Sequence, residues 1–130
     1  MTGTKIDGKI IAQTVKDRVK KATTELKSQG INPCLATVLI GNNPASATYV
    51  KNKHKACEEV GIITKDHKLD ENITQQQLSE IIDELNADVS VHGILVQLPL
   101  PKHLNEFATT SRISPIKDVD GLTPHNAGLL

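Results

Sequence analysis

The stretch CLATVLIGNNPASATYVKNKHKACEEVG, residues 34–61, decides the fold of this chain. Its first part, CLATVLIG, is a short and nearly continuous apolar run, as expected for a strand that is buried on both faces. Asn43 is then placed as the N-cap of a helix, with Pro44 at the first helical position and Gly61 as the terminator. A buried strand that leads directly into a helix is typical of α/β proteins with a parallel sheet.

Two further stretches show the spacing of amphipathic helices. In the first 30 residues, apolar side chains recur at helical spacing, and Gly30 is well placed to end the helix. In the second stretch, Thr74 and Gln77 have the spacing of a capping box, directly before a run with one apolar face. The apolar positions are Ile11, Val15, Val19, Ala22 and Leu26 in the first helix, and Leu78, Ile81, Ile82 and Leu85 in the second.

Two more strands complete the pattern. IITKDHKL, residues 62–69, is polar enough to be an exposed edge strand, whereas VHGILVQL, residues 91–98, is apolar almost throughout. Pro99 and Pro101 cannot continue a central ladder, so the third strand should end near Leu98. Strands that alternate with helices predict an α/β fold: a small parallel sheet of three or four strands, flanked by helices in three layers and joined by right-handed crossovers.

The composition narrows the classes of function. The 130 residues fit one domain, and 15 basic against 15 acidic residues give a formal charge of zero, which argues against binding to nucleic acid or a membrane surface through bulk charge. Cys34 and Cys57 lack CxxC or histidine spacing, so neither a zinc site nor a disulfide is indicated. No run resembles a signal peptide or a membrane span. We therefore expect a cytoplasmic protein without a metal.

Three lysines alternate along the helix that follows the first strand. On a helical wheel, Lys51 and Lys55 lie at about 100° and about 140° from Val50, on the water side. Lys53 lies at about 60° on the other flank, which it shares with Ser46, Tyr49, Cys57 and Val60. Val50, Cys57 and Ala47 mark the inward face. Lys51 and Lys55 are therefore expected to be ordinary surface charges, and Lys53 is the exception.

Two interpretations fit Lys53 at this point. Its stem can cover apolar surface while the amine reaches water. Alternatively, the amine is partly desolvated beside the phenol of Tyr49, because residues four apart on a helix can meet. Desolvation favours the neutral form of an amine, which can then accept and return protons. Tyr49 itself has a plain interpretation as a boundary residue with a buried ring and a wet hydroxyl.

Gln97 is the second unusual residue, because it places a primary amide at the end of an apolar strand. Such an amide is either satisfied by backbone groups in the core or lies at an opening. In parallel α/β sheets, ligands bind outside the carboxyl ends of the strands. Gln97 lies at such an end, and the loop GNNP leaves the carboxyl end of the first strand to deliver Tyr49 and Lys53. Two independent features thus point to one rim of the sheet.

The third stretch is PIKDVDG, residues 115–121, in which Asp118 and Asp120 are either turn residues or site residues. Two carboxylates two positions apart are weak evidence for a metal, since the spacing of a calcium loop is absent. The chain also has no GxGxxG and no P-loop. His54, one of five scattered histidines, is expected to be a packed residue rather than a ligand.

Three stretches together resemble the amino-terminal domain of the bifunctional methylenetetrahydrofolate dehydrogenase/methenyltetrahydrofolate cyclohydrolase family. They are LATVLIGNNPASATYVKNKHKACEEVGI, GILVQLPLP and PIKDVDGLTPHNAGLL, and the similarity extends from KIIA to the end of the chain. The resemblance implies an enzyme that oxidises 5,10-methylenetetrahydrofolate with NADP and hydrolyses the methenyl product to 10-formyltetrahydrofolate. It also implies that the full-length protein is a homodimer.

The resemblance assigns roles to individual residues. Tyr49 matches the tyrosine that packs on the folate rings, Lys53 matches the catalytic acid/base, and Gln97 matches the glutamine that supports this lysine. Asp120 matches the aspartate that bonds the amino group and ring nitrogen of the pterin, an edge that suits a carboxylate. The remaining matches to the folate pocket are Val96, Leu98 and Ser46.

The end of the chain suggests a truncation. Thr123 is placed as an N-cap and Pro124 opens a helix, yet the sequence stops at Leu130, about two turns later. From the resemblance we expect residues 1–122 to be the folate-binding catalytic domain and residues 123–130 the start of the interdomain helix, with the NADP-binding Rossmann domain missing. Two alternatives stay open: a non-catalytic folate-binding or dimer-interaction module, and a dehydrogenase without the hydrolase activity. The reading frame beyond Leu130 would separate the module from the enzyme.

Overall fold

The computed structural model describes residues 2–119, with side chains described from residue 13 onwards. Helices and strands alternate along the chain, as the sequence predicts. The elements are α1 (Thr2–Ser28), β1 (Cys34–Ile40), α2 (Pro44–Val60), β2 (Ile63–Leu69), α3 (Gln75–Ala87), β3 (Gly93–Val96) and α4 (Glu106–Ser111).

The three strands form a parallel sheet in the order β2-β1-β3. The first strand is central, and its Val38 lies opposite His67 of β2 and Val96 of β3. On the outer side of β3, Asp118 forms a single parallel bridge with Ile94. The predicted sheet of three or four strands is thus confirmed, with three strands and one bridge in the position of a fourth.

The helices cover both faces of the sheet, which confirms the three-layer arrangement. Side chains alternate across the sheet, so even-numbered residues of β1 and β3 face one way and odd-numbered residues the other. The even-numbered side packs against α3 in the main hydrophobic cluster, which includes Ala36, Val38, Ile94, Val96, Leu78 and Ile82. On the opposite side, α2 contacts the sheet and α1 packs on α2. Gln97 follows β3 on this second side, and its side chain contacts α2.

The predicted caps are confirmed. Asn43 is the N-cap of α2, where its side chain accepts a hydrogen bond from the Ser46 N–H at 3.1 Å. Gly61 ends the same helix in the left-handed conformation, with φ of 82°. Thr74 and Gln77 form both bonds of the capping box of α3. The edge position of β2 and its mixture of exposed and half-buried residues also agree with the prediction.

Three details differ from the predictions. The third strand ends at Val96 rather than near Leu98, although the Gln97 N–H still donates to the Val38 carbonyl at 2.9 Å. The ladder stops there because Pro99 has no N–H to donate. Helix α4, with Asn105 as its N-cap, was not predicted, since six residues are too few to show a helical period. Ala47 is exposed rather than inward-facing.

The expected helix over residues 123–130 and the domain boundary at residue 122 lie outside the described residues. Within residues 2–119, the helices are too short or too polar to cross a membrane.

Candidate functional site

The buried side of α2 explains why Lys53 differs from its neighbours. Among the described side chains of this helix, Ser46, Val50 and Val60 are buried. On the wheel, these three centre about 40° from Val50 toward the flank of Lys53. Lys53 therefore falls within the buried stripe and is half-buried, whereas Ala47 falls about 100° away from its centre and is exposed.

Lys51 and Lys55 are exposed, as the wheel predicts. Both project away from the sheet, so their amines are solvated surface charges. They serve as internal references for Lys53, because the three lysines share one helix and differ in the direction of their side chains.

The Lys53 amine is held by the amide that follows β3. Its Nζ donates a hydrogen bond to Gln97 Oε1 at 2.9 Å. The amide is oriented in turn, because its Nε2 donates to the Leu98 carbonyl at 3.0 Å. Gln97 is only 9% exposed, so water offers few competing partners. Gln97 is therefore a buried amide whose partners are a backbone carbonyl and the Lys53 amine.

Strand alternation and the parallel sheet bring the two residues together. Gln97 lies on the α2 side of the sheet, and its N–H bonds to Val38 in the central strand. Helix α2 begins just beyond the carboxyl end of that central strand, and Lys53 lies in its third turn. The pair thus lies near the rim formed by the carboxyl ends of β1 and β3, where ligands of such sheets bind.

Tyr49 lies one turn before Lys53 and is 54% exposed. A ring this open fits the interpretation of a stacking surface for a flat ligand better than that of a boundary residue with a buried ring. Ser46, one turn earlier still, is buried at the start of the helix.

The other predicted site residues lie at different places. Val96 is 3% exposed and belongs to the main hydrophobic cluster, on the face of the sheet opposite Gln97. Leu98 is half-buried and packs against the same cluster from the end of the strand. Asp120 lies outside the described residues, whereas Asp118, two positions earlier, is bridged to Ile94 at the edge of β3. Their predicted roles stay predictions.

His54, expected to be packed, is instead part of a polar cluster between α2 and β2. Its Nδ1 lies 2.9 Å from Asp66 Oδ2, and its Nε2 lies 2.8 Å from Glu58 Oε1. The hydrogen bond with Glu58, together with the charge and hydrogen bond of Asp66, raises the pKa of His54, although partial burial opposes this. A ring with a carboxylate on each nitrogen is best satisfied as the imidazolium, which donates on both sides. The i, i+4 spacing of His54 and Glu58 was the available signal in the sequence.

The described residues form a small cavity at the rim of the sheet and a wider groove along α3. A cavity of about 170 Å³ lies beside the carboxyl ends of β1 and β3, where it is lined by Gly41, Asn43, Glu71 and Pro99 among others. A wider groove of about 570 Å³ runs along α3 and is lined by Gln77, Ile81 and acidic residues. The groove is larger, but it lies away from the Lys53–Gln97 pair. Among the described residues, no three histidine, cysteine or acidic side chains are grouped to hold a metal ion.

Comparison with known proteins decides the family. The family model for the tetrahydrofolate dehydrogenase/cyclohydrolase catalytic domain matches residues 6–120, which is most of the chain. The chain belongs to this family. All the predicted site residues of the tetrahydrofolate dehydrogenase/cyclohydrolase domain lie within the matched segment, and Asp120 is its last residue.

Relatives agree with this assignment. The bifunctional protein FolD of Nitrosopumilus maritimus is 81% identical over 130 residues, which are 100% of this chain and 45% of that protein. The crystal structure of the bifunctional FolD dehydrogenase/cyclohydrolase of Campylobacter jejuni superposes with a TM-score of 0.92 at 52% identity, over 94% of this chain and 43% of that one.

A third relative is the dehydrogenase-cyclohydrolase of Trypanosoma brucei, solved with NADP cofactor and an inhibitor. It superposes with a TM-score of 0.86 at 35% identity and covers 92% of this chain and 41% of its own. The chain thus spans less than half the length of these relatives.

Proposed function

We propose that this chain supplies the folate-binding catalytic domain of an enzyme that interconverts 5,10-methylene-, 5,10-methenyl- and 10-formyltetrahydrofolate. The observation that carries the proposal is the hydrogen bond between Lys53 and Gln97 at the sheet rim, in a chain of this family. When one N–H of a neutral amine is bonded to a buried amide, its other N–H and its lone pair stay available to a ligand. In the sequence, helix geometry selects Lys53, and the amide at the end of the apolar third strand selects Gln97.

In the proposed hydrolysis, Lys53 transfers protons and water supplies the oxygen. Water adds to the bridging carbon of the methenyl cation while the neutral amine takes the released proton. The resulting ammonium returns a proton to the departing ring nitrogen, the carbon–nitrogen bond breaks, and the hydroxyl proton passes to solvent as the formyl carbonyl forms. Such a positioned acid/base group contributes roughly 10²- to 10⁴-fold in rate.

The other residues bind and orient the folate. The exposed ring of Tyr49 stacks on the folate rings, and the Asp120 carboxylate accepts the two N–H donors of the pterin edge. Ser46, Val96 and Leu98 shape the pocket, Val96 from within the core. Gln97 orients Lys53, so that the amine faces the water that adds to the bridging carbon.

For the whole protein we propose NADP as the oxidant. NADP, bound outside the 130 residues of this chain, would accept the hydride from the methylene carbon of the folate. We further propose a cytoplasmic homodimer that needs no metal, because the proton transfers are assigned to Lys53. NADP is supported by the complex of the Trypanosoma brucei relative, and the dimer by the family resemblance. The location is supported by two cysteines that lack the spacing of a disulfide pair. The 130-residue chain by itself should not transfer hydride, and robust NADP-dependent turnover by it would contradict this.

A two-domain fusion tests the proposal. It joins residues 1–130 to the part of the Nitrosopumilus maritimus relative that lies beyond the matched segment, since this relative is 81% identical. Lys53→Met should lower the rate of methenyltetrahydrofolate hydrolysis by roughly 10²- to 10⁴-fold while folate binding and the melting temperature change little.

Lys51→Met is the matched control, because it removes an exposed lysine from the same helix. It should hydrolyse at the unsubstituted rate. Unchanged hydrolysis by the Lys53→Met fusion would remove Lys53 from the mechanism.

A further inference from the structure

Glu106, the first residue of α4, accepts a hydrogen bond from the segment that follows β3. The Leu100 N–H donates to Glu106 Oε2 at 3.0 Å. Pro99 and Pro101 have no N–H, so Leu100 has the only backbone donor in this stretch of three residues. Leu100 is buried, and a buried N–H without a partner costs free energy. Glu106 therefore accepts the one N–H through which this segment can be held.

Contacts with α3 fix Glu106 independently of the segment it holds. Gln75, the first residue of α3, accepts from the Asn105 N–H at 2.7 Å and donates from Nε2 to Thr109 Oγ1 at 3.0 Å. Asn105 in turn caps α4, since its side chain accepts from the Ala108 N–H at 2.9 Å. A carboxylate in the first turn of a helix is also favoured by the helix dipole. The acceptor is thus anchored in the α3–α4 pair rather than in the sheet.

The held segment carries the carbonyl that orients Gln97. The Leu98 carbonyl accepts from Gln97 Nε2 at 3.0 Å, and Gln97 Oε1 accepts from Lys53 Nζ at 2.9 Å. Only Pro99 separates the Leu98 carbonyl from the Leu100 N–H. Because peptide bonds are planar and the proline ring fixes φ, a single soft torsion, ψ of Pro99, lies between these two groups. Holding the Leu100 N–H therefore limits the movement of the carbonyl on which the Gln97 amide depends.

The same segment forms a wall of the cavity at the rim of the sheet. Residues 99–101 line this cavity of about 170 Å³ together with Gly41 and Asn43, which belong to the loop that leads into α2. That loop delivers Lys53, and residues 99–101 follow Gln97. A shift of the segment would therefore change the geometry between the two members of the pair.

We propose that Glu106 is a positioning residue for the Lys53–Gln97 pair. Its bond to the Leu100 N–H holds the Leu98 carbonyl where this carbonyl accepts from Gln97 Nε2. The amide oxygen of Gln97 is thereby aimed at the Lys53 amine. This role rests on the proposed function, in which Lys53 transfers protons. A bond that only stabilised the loop would contribute to the free energy of unfolding and leave catalysis unchanged.

Kinetics of the two-domain fusion test this role. Glu106→Ala leaves the buried Leu100 N–H without its acceptor. We expect kcat for methenyltetrahydrofolate hydrolysis to fall about tenfold while KM changes less than about twofold, because the pair acts in proton transfer rather than in folate binding. Glu106→Gln keeps an oxygen at the same reach and should retain kcat within about twofold. Glu106→Asp, which withdraws the carboxylate by one methylene, should lower kcat about threefold or more, and it serves where Glu106→Ala does not fold.

A double-mutant cycle shows whether Glu106 acts through Gln97. In a Gln97→Ala background, Glu106→Ala should lower kcat less than about twofold further, because the amide that Glu106 positions is already gone. Asp88→Ala is the matched control, since Asp88 Oδ1 accepts the Ser90 N–H at 2.9 Å, a bond of the same kind before the start of β3. It should lower the melting temperature and leave kcat unchanged.

Hydrogen exchange adds a direct readout in the same fusion. The Leu100 amide proton should exchange faster in Glu106→Ala than in Glu106→Gln, because only glutamine replaces the lost acceptor. Four results would each overturn the inference and leave the proposed function standing: an unchanged kcat in Glu106→Ala, an equally slow Glu106→Gln, an equal fall with and without Gln97→Ala, or equal exchange of the Leu100 amide in the two variants. Full-rate hydrolysis by the Lys53→Met fusion overturns the proposed function, and the inference with it.

Discussion

Replacing Gln97 by glutamate should keep a partner for Lys53 but make proton transfer to this amine less favourable at neutral pH. The Lys53 amine donates to Gln97 Oε1 at 2.9 Å, and a glutamate of equal length puts a carboxylate oxygen at this position. Two unit charges 4 Å apart attract by about 4 kcal/mol near a protein surface. Because Lys53 is only half-buried, we discount this to roughly 1.4 kcal/mol for solvent screening.

This free energy corresponds to about one pH unit. Hydrolysis of methenyltetrahydrofolate at neutral pH should therefore fall about tenfold in Gln97→Glu, and the rise of the rate with pH should move about one unit toward alkaline pH. The assay is the pH profile of hydrolysis by the two-domain fusion, together with its melting temperature. The melting temperature should fall modestly, because a carboxylate cannot replace the amide N–H that donates to the Leu98 carbonyl at 3.0 Å, while the ion pair with Lys53 offsets part of this loss.

Gln76→Glu is the matched control, because Gln76 is exposed on α3. This substitution adds the same charge on the other side of the sheet. It should leave the profile unchanged. If Gln97→Glu hydrolyses at the full rate with an unshifted profile, Gln97 does not control the proton on Lys53, and the mechanism proposed for the pair is wrong.

Three further changes probe the helix that carries the site. Asn43→Ala removes the cap that accepts from Ser46 at 3.1 Å, so the free energy of unfolding should fall by about 0.5–2 kcal/mol in denaturant titrations, against no change for the exposed Asn42→Ala. Tyr49→Leu should weaken folate binding to the two-domain fusion about tenfold to a hundredfold, because stacking is lost. The melting temperature should not change, since Tyr49 is 54% exposed. Equal folate affinity of the variant and the unsubstituted fusion would exclude stacking. The pKa of His54 is raised above its ordinary value of 6.5, so the stabilisation from its two carboxylate partners is present below that pH and is lost as the pH rises through the raised pKa. His54→Gln should abolish this part of the pH dependence of unfolding, and a variant that retains it would contradict the assignment.

Local patterns were sufficient for most of the fold. The N-cap at Asn43, the left-handed Gly61 and the capping box at Thr74 are formed within a few residues, so a short stretch of sequence contains all the partners of each. Two predictions about element bounds were less complete. Helix α4 has too few residues to show a helical period, and β3 ends two residues before the predicted position, where Pro99 has no N–H to donate.

The candidate site divides in the same way. Helical geometry separated Lys53 from Lys51 and Lys55, but the wheel placed Ala47 on the inner side because it was centred on Val50 alone. The true centre of the buried stripe is set by where the sheet lies beneath the helix. Likewise, the role of His54 depended on Asp66 in β2, which no spacing within α2 could reveal.

The sequence by itself determined which lysine of α2 turns toward the sheet, because hydrogen bonds between successive turns impose the same angular step on any α-helix. Only the tertiary structure decided what that lysine meets. Gln97 is 44 residues further along the chain. Parallel pairing of β3 with β1 fixes the position of Gln97 along the strands, and the packing of α2 on the sheet fixes how close Lys53 lies to it. Contacts of this kind result from burying the apolar faces of helices and strands against one another. The hydrophobic period of a helix or strand shows which of its faces is buried, but not which residues of a distant element that face contacts.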